Sequence, residues 1–590
     1  MSTQLILEDI LLNVNKPGRY IGKEWNLPRK DFAKCDIKFA LCFPDLYEIG
    51  MSNLGIRIIY GILNNLSDVV CERFFSCSSD IKNNLRSKNI GIYSLESRRG
   101  LKEFDLVGFS LGHELNYTNV LDILEMGAIP LESSLRDHSY PLIIGGGPCV
   151  LNPEPIHSFF DLFVFGEAEE VILEIIDIYR KLKNRFRAAK IKKEELLAEF
   201  SRLEGVYVPS LYEVSYNREG KIEEFKPRIA GIPTRIKKRF IRDLDSAYFP
   251  VEWLMPYIQI VHDRITLEIM RGCPNACRFC QARYQYLPFR QRGIKNTLDL
   301  ALSTYKNTGY EEISLCGLSV SDFQGIEELL KRLMDLFREK TVSLSLPSIK
   351  PKDMLGELLS LIAAVKKTGL TFAPEAATER LRKILNKDFD LEVFFKALER
   401  AYLCGYQSIK LYFMIGLPFE RQEDLDGIID LALRVSQLRK KVDKRAAQVN
   451  VSINTLIPKP HTPFQWLAME SIEKIRHKQD YLRKKAGDKR LKVSMRSPQM
   501  TFLEGVLSRG DRRLSQVILA AFRKGAGFDA WDNYFFFDKW QEAFRDCQID
   551  PDFYLEAKAK NEFLPWDFLD VGIDKEALVK EADRISETTI

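Results

Sequence analysis

Long apolar runs are missing from this chain: none approaches the ~18 residues that a membrane span requires. Glu8 and Asp9 stand where a signal peptide would carry Lys or Arg. The expected location is therefore cytoplasmic, with no membrane association. Charge of one sign is also missing. Lys plus Arg number 87 and Asp plus Glu 82, a net charge of +5 over 590 residues. That excludes a histone-like basic protein and an acidic solvating tail, and leaves room for a local patch. Cysteine is sparse, at 11 residues, which excludes a disulfide scaffold; in a reducing compartment such cysteines are free, metal-bound or catalytic. There is no internal repeat and no low-complexity tract. The absence of GxxxxGK followed by Ser or Thr argues against a P-loop nucleotidase.

What is present reads as a multidomain globular protein. Apolar residues make up 45% and charged residues 29%, an ordinary soluble composition, and the length predicts three or four domains. The first third alternates strand and helix. Strands are expected at 37–43, 105–110, 141–148 and 161–167, with helices from Met51, from about Asn116 and from near Ala168. Strand, loop and helix repeated in this way predict a parallel doubly wound α/β sheet over 1–180, whose ligands bind at the C-terminal strand ends. Residues 181–257 read as a charged helical run with a solvated face, a hairpin within 206–227 and a linker. From Arg264 a second series begins, with strands at 265–270, 312–316, 341–346, 369–375, 407–414 and 449–456. Six βα units predict an open, partial βα barrel over 258–470, with its catalytic groups at the C-terminal strand ends. Residues 471–590 read as a mostly helical C-terminal domain.

Three cysteines stand apart from the other eight. Arg271-Gly-Cys273-Pro-Asn-Ala-Cys277-Arg-Phe-Cys280 has the spacing C-x3-C-x2-C, directly after the first barrel strand. Thiolates are the usual ligands of iron–sulfur clusters, and three on one loop can hold three irons of a cubane. The fourth iron is then free to take a small molecule. Structural zinc is the competing reading, but it wants four ligands, and only His262 can be argued as the fourth. This motif resembles that of the radical S-adenosylmethionine (SAM) superfamily. The resemblance implies a 4Fe-4S cluster on Cys273, Cys277 and Cys280. It also implies SAM chelated to the unique iron, one-electron cleavage to a 5′-deoxyadenosyl radical, and an electron donor such as flavodoxin or ferredoxin. Phe279 matches the aromatic position beside the adenine. By order along the barrel, Gly317 after the second strand falls where the family holds the SAM amino group through backbone atoms. Its usual Gly-Gly-Glu is replaced by Cys316-Gly317-Leu318. Ser345 and Lys350 after the third strand, in a run that continues through Ser348, can reach the ribose or carboxylate. Glu375 after the fourth strand points an acid into the mouth, for a ribose hydroxyl or a substrate amine. Gly416 and Pro418 match the glycine–proline turn near the adenine.

The N-terminal domain resembles the cobalamin-binding domains of the doubly wound class, which carry Asp-x-His-x-x-Gly, a serine and a Gly-Gly turn. The same places hold Asp45-Leu-Tyr47-Glu-Ile-Gly50, Ser110, and Gly145 and Gly146. Tyr47 replaces the axial histidine, so the resemblance implies cobalamin without a protein ligand to cobalt; the alternative is that these glycines serve only strand-to-helix turns. A cobalamin-type domain ahead of the barrel is the layout of the cobalamin-dependent radical SAM class. A closer resemblance is to an uncharacterised bacterial subgroup of it, carried by Tyr47–Gly55, Gly108–Leu121, His262–Cys273, Ser345–Ser348 and Pro458–Trp466. Pro274-Asn-Ala276 departs from the subgroup's usual Thr, Arg or Lys, Gly.

His461, leaving the last barrel strand, reads as a structural hydrogen-bonder ahead of a catalyst. Arg509, Arg512 and Arg513 read as a solvated helix start, and Trp531, Trp540 and Trp566 as packing. Three functions compete. One is a radical SAM methyl or alkyl transferase using cobalamin. Another is a cobalamin-independent radical SAM oxidation, rearrangement or modification of RNA or protein. The third is a non-catalytic iron–sulfur redox sensor associated with RNA or the ribosome.

Overall fold

The computed structural model describes residues 3–346, 349–356, 359, 361 and 369–587. Pro347 and Ser348, part of the run after the third barrel strand, lie outside them.

The N-terminal third forms a six-stranded sheet of β1 (Ile37–Phe43), β2 (Val69–Phe75), β3 (Leu106–Ser110), β4 (Leu142–Gly146), β5 (Leu162–Val164) and β6 (Val206–Tyr207). The order is β2-β1-β3-β4-β5-β6. The first five strands are parallel and β6 runs antiparallel to β5. Burial on both faces, as crossover helices impose, explains the near-continuous apolar runs of β1, β3 and β4. Two strands escape the sequence pattern. β2 carries Glu72 and Arg73 in its middle, which break the apolar run, yet the whole strand is buried. Arg73 is satisfied inside by Glu24 at 2.9 Å and Glu96 at 2.6 Å. β6 is two residues long and falls at the head of the expected hairpin; the hairpin itself is narrower, pairing Tyr212–Tyr216 with Ile222–Pro227. The charged run is two helices, Val171–Arg187 and Lys193–Phe200, and the second buries Leu196, Leu197 and Phe200.

The second series forms two parallel sheets. One has β7 (Ile265–Glu268), β8 (Glu312–Cys316) and β9 (Ser343–Ser345); the other has β10 (Leu370–Glu375), β11 (Ser408–Ile415), β12 (Gln448–Thr455) and β13 (Leu491–Met495). β13, beyond the six expected strands, pairs in parallel with β12 after the helix Ile472–Lys485. Its five residues LKVSM alternate polar and apolar too briefly to stand out. Ile409, Leu411, Phe413 and Ile415 of β11 pack with Val449, Val451 and the surrounding helices. The intervening residues face the inner, helix-free side.

The C-terminal region is mostly helical, and it clasps the N-terminal sheet. Trp531 Nε1 donates to Asp45 Oδ1 at 3.0 Å, Thr118 Oγ1 to Asp529 at 2.6 Å, and Phe528 N to Asn119 Oδ1 at 2.7 Å. The arginines at 509–513 belong to this clasp and are not a solvated helix start. Arg509 is buried and donates to the Pro458, Gln465, Tyr554 and Glu556 carbonyls. Arg512 joins Glu154 at 2.6 Å and Tyr207 at 2.7 Å. Trp540 and Trp566 are fully buried. No helix among the described residues is long and apolar enough to cross a membrane.

Candidate active site

The C-terminal ends of both parallel systems open on one cavity of about 560 Å³, within the ~300–1,000 Å³ of ligand sites. One wall is the edge of β3 and β4, with Ser110, Gly145 and Gly146. The other is the start of the cysteine loop, Arg271-Gly272, and the end of β8, Cys316-Gly317. The glycines divide by what a side chain would meet. At Gly145 a Cβ would lie 2.6 Å from the Phe163 ring, and at Gly317 2.4 Å from Met270 Cγ, so protein packing requires both. At Gly146 and Gly112 it would meet nothing within 4 Å. Those two leave bare backbone facing the cavity, a surface that a flat ligand can approach closely.

The wall is held by charge. Arg271 is buried between Glu169 at 2.5 Å, Glu268 at 2.8 Å and Glu167 at 2.9 Å, and Arg290 takes Glu167 from its other side at 2.7 Å. Burial raises the Glu167 carboxyl, but the two arginines outweigh it and its pKa falls below the usual range.

Gly272 has φ +79°, and its Cβ would lie 2.7 Å from the Tyr286 carbonyl; a side chain there would push the cysteine loop off the wall. Beyond it Cys273, Cys277 and Cys280 are all partly exposed. Burial pushes the Cys277 thiol up to about 11 and raises Cys280, with Lys387 pulling both down. Such thiols need a cation before they ionise, which is what a metal supplies. Among the described residues the set His113, Glu114 and Glu504 is what gathers three ligand atoms within 4.8 Å. The His113 set is closed by its own cations. Lys459 Nζ lies 2.7 Å from Glu114 and 2.9 Å from Glu504, and Arg496 also pairs with Glu504. Burial raises Glu504, but Lys459, His113 and Arg496 together hold it well below the usual carboxylate range.

The remaining expected residues are spread around this centre. Phe279 packs against the cluster of Leu381, Ile384 and Leu417, as does Met414 of β11. Lys350 is bound to Asp322 at 2.7 Å and to Asn275 Oδ1 at 2.8 Å, while Asn275 Nδ2 reaches Cys273 Sγ at 3.2 Å. It thus braces the cysteine loop through Asn275. Ser345 faces the inner side of β9, opposite Ser314. Glu375 ends β10 with φ +65°, a rare backbone for a non-glycine residue. Burial pushes its carboxyl up to about 7, tempered by Lys387 at 3.9 Å. Gly416, at φ +75°, donates its N–H to Glu420 at 3.1 Å.

Asp45, Gly50 and Tyr47 do not line the cavity. The Asp45 carboxylate is taken by Leu46 N and Trp531. A Cβ on Gly50 would lie 2.2 Å from Phe75, which makes it a packing glycine. The Tyr47 hydroxyl donates to Glu24 at 3.0 Å and is buried; burial, then Glu24, raise its pKa. His461 is structural: its Nε2 lies 2.9 Å from the Leu151 carbonyl, and burial depresses its pKa to about 4. Arg271, Glu167, Glu169 and Glu268 were missed as functional residues because their signal is spread over two domains.

Residues 55–209 match the family model described as radical SAM proteins, N-terminal, and residues 267–432 the one for the radical SAM superfamily. Uncharacterized protein MJ0966 of Methanocaldococcus jannaschii is 30% identical over 482 residues, 81% of this chain and 90% of that protein. The chain belongs to the radical SAM superfamily. That membership implies a 4Fe-4S cluster and SAM, and the cysteine loop fits them. A tRNA-2-methylthio-N(6)-dimethylallyladenosine synthase of Desulforamulus reducens is 26% identical over 180 residues, 29% of this chain and 39% of that protein. The solved cobalamin-dependent SAM radical enzyme OxsB with aqua-cobalamin and SAM shares 13% identity at a TM-score of 0.48, over 94% of this chain and 84% of that one.

Proposed function

We propose that this radical SAM enzyme transfers a methyl or alkyl group with the help of cobalamin. The observation that carries the reading is the shared cavity, with bare glycine backbone on the sheet side and the cysteine loop on the barrel side. When bound, the cluster with SAM supplies a 5′-deoxyadenosyl radical, and cobalamin supplies a methyl carrier. The chain's own residues do the rest. Cys273, Cys277 and Cys280 would hold three irons of the cluster, and the Lys350–Asn275 brace fixes the loop. Arg271 ties the two walls together so that both groups face one space. Gly146 and Gly112 admit a flat ring, with Ser110 at the same edge to hydrogen-bond a nucleotide tail. Tyr47 is spent on Glu24, so cobalt receives no protein ligand from it.

The test is stoichiometry with methyl-labelled SAM and cell extract or an RNA fraction as substrate. The expected result is two SAM consumed per turnover, giving one 5′-deoxyadenosine and one S-adenosylhomocysteine. Substrate-dependent 5′-deoxyadenosine without S-adenosylhomocysteine or label in the product refutes methyl transfer. A second reading, cobalamin-independent modification of RNA, is favoured by the relation to the tRNA-modifying synthase over 180 residues. Failure to bind hydroxocobalamin would select it. Electron paramagnetic resonance of the Co(II) form should show no histidine nitrogen splitting.

A further inference from the structure

The inner face of the second barrel sheet carries a cationic row at the end away from the cysteine loop. Strand register places Thr371, Lys410, Asn450 and Lys492 side by side across β10, β11, β12 and β13. Lys410 belongs to the inner face because its neighbours Ile409 and Leu411 are buried against the helices. Met414, four residues on and on the same face, packs against the same apolar cluster as Phe279 of the cysteine loop. The row therefore lies about 13 Å down the lumen from the cluster end, at ~3.3 Å per residue.

Lys410 and Lys492 stand two strands apart, roughly 10 Å at a strand spacing of ~4.8 Å, with Asn450 between them. Like charges on one sheet face oppose each other. Among the described residues neither lysine has a carboxylate partner; Lys410 lies 4.7 Å from the Tyr412 ring. Asn450 is held by Ser408 Oγ at 3.3 Å. Thr371, Gln448 and Lys492 are exposed, so the lumen opens to water here. An anion over Asn450 would meet both ammonium groups.

The rim of that opening is basic as well. The helices Gln422–Asp443 and Ile472–Lys485 end there, just before β12 and β13. Arg439, Arg483, Lys485 and Arg490 are paired to Asp443, Asp480, Asp426 and Asp488. Lys441, Lys444, Lys484 and Lys489 are exposed and, among the described residues, have no such partner; Lys440 and Arg445, also exposed, act on Asp488 and Asp443. Lysines at helix C-termini suit the helix dipole, so the rim alone would carry nothing. The two inner-face lysines have no such explanation.

We propose that the lumen row Lys410–Asn450–Lys492 holds a phosphate of a single-stranded polynucleotide whose backbone follows the basic rim. The substrate thus enters the barrel from the end opposite the cluster. The inference rests on the reading of the barrel as the catalytic domain. Four unpaired lysines on the rim exceed what one small phosphate can engage, which favours a phosphodiester chain.

The test is fluorescence anisotropy of cluster-loaded full-length protein with a labelled 20-nucleotide single-stranded RNA, the DNA of the same sequence, and AMP and inorganic phosphate as competitors. Micromolar RNA binding that weakens with salt is expected. Lys410→Met/Lys492→Met should weaken it at least about 100-fold at 50 mM salt and lower the log–log salt slope by about 1.4, at ~0.7 per contact. Lys410→Arg/Lys492→Arg, which keeps the charges, should preserve the slope and shows that the positions tolerate substitution. No binding of the 20-mer, or binding unchanged by the Met pair, overturns the proposal. AMP or phosphate binding as tightly as the 20-mer overturns the polynucleotide assignment. The measurement needs no turnover, so a protein that binds RNA but forms no 5′-deoxyadenosine refutes the enzymatic reading alone.

Discussion

Replacing Arg271 by Met should open the cavity without touching a cluster ligand. Arg271 is the sole ion-pair partner of Glu169 and of Glu268 among the described residues, whereas Glu167 keeps Arg290. The substitution therefore strands two carboxylates in a nearly dry wall. Removing one partner of a buried ion pair costs about 3–5 kcal/mol, or about two to three and a half decades in a local opening equilibrium at ~1.4 kcal/mol per decade. Glu167 and Glu169 follow the end of β5, and Glu268 and Arg271 flank the end of β7, so opening separates the two domains at the cavity. Hydrogen–deuterium exchange by mass spectrometry reads this directly. Peptides containing the Arg292 N–H to Ile269 bond of 2.8 Å and the Ile241 N–H to Glu167 bond of 2.8 Å should lose protection by that factor. The N–H of Val107, inside β3, should not. Adding Glu169→Gln removes one stranded charge and should restore about 1–2 kcal/mol. Unchanged exchange in Arg271→Met, or a penalty indifferent to Glu169→Gln, would refute the account of the wall as an ionic joint.

Replacing Cys273, Cys277 and Cys280 together by Ala should abolish the roughly four irons per chain of reconstituted protein and all SAM cleavage, while Cys71→Ala and Cys547→Ala should keep both. Gly146→Val should leave the melting temperature within about 1 °C yet impair hydroxocobalamin binding, whereas Gly145→Ala, whose Cβ meets Phe163 at 2.6 Å, should cost about 1–3 kcal/mol of stability. The reverse pattern would show Gly146 to be a packing residue. His461, at about 4 when folded against 6.5 for the unperturbed group, contributes stability that is complete above pH 6.5 and lost as pH falls towards 4. The whole effect is about 3 kcal/mol at ~1.36 per unit. His157, also at about 4, acts in the same sense, so melting temperature against pH for His461→Gln should show a shallower acid limb but not a flat one.

What was legible in the sequence follows from how local each signal is. The six expected barrel strands fall within two residues of their observed limits because apolar residues recur at alternate positions, where each strand packs on the helices. The strands that were missed, β2, β6 and β13, have no such pattern: the first hides an ion pair, the second is two residues long, and the third is short and half polar. The C-x3-C-x2-C loop declares itself because its three cysteines lie within eight residues. Resemblance by strand order located the edge of β3 and β4 but not side-chain directions. Asp45 and Tyr47 stand at the expected strand end, yet both are drawn inward, one by Trp531 and the other by Glu24. Such pairings span 486 and 23 residues and leave no local trace. The Arg271 joint is illegible for the same reason, since two of its three carboxylates, Glu167 and Glu169, lie about a hundred residues upstream.

The clasp between the first and last thirds of the chain has a consequence for its birth. Asp45 and Trp531 are 486 residues apart, so at ~5–20 residues per second a ribosome needs roughly 25–100 s to supply the partner. Throughout that interval the nascent sheet has lost its unfolded freedom without gaining its final cover. The surface that Trp540, Phe522 and Phe544 later bury is exposed to whatever collides with it. Long-range closure of this kind is slow and prone to aggregation. A message truncated between the cysteine loop and Phe528 would release a chain whose cofactor loop is complete but whose first domain never closes. Quality control of this enzyme therefore falls on its last sixty residues, far in sequence from any atom that performs its chemistry.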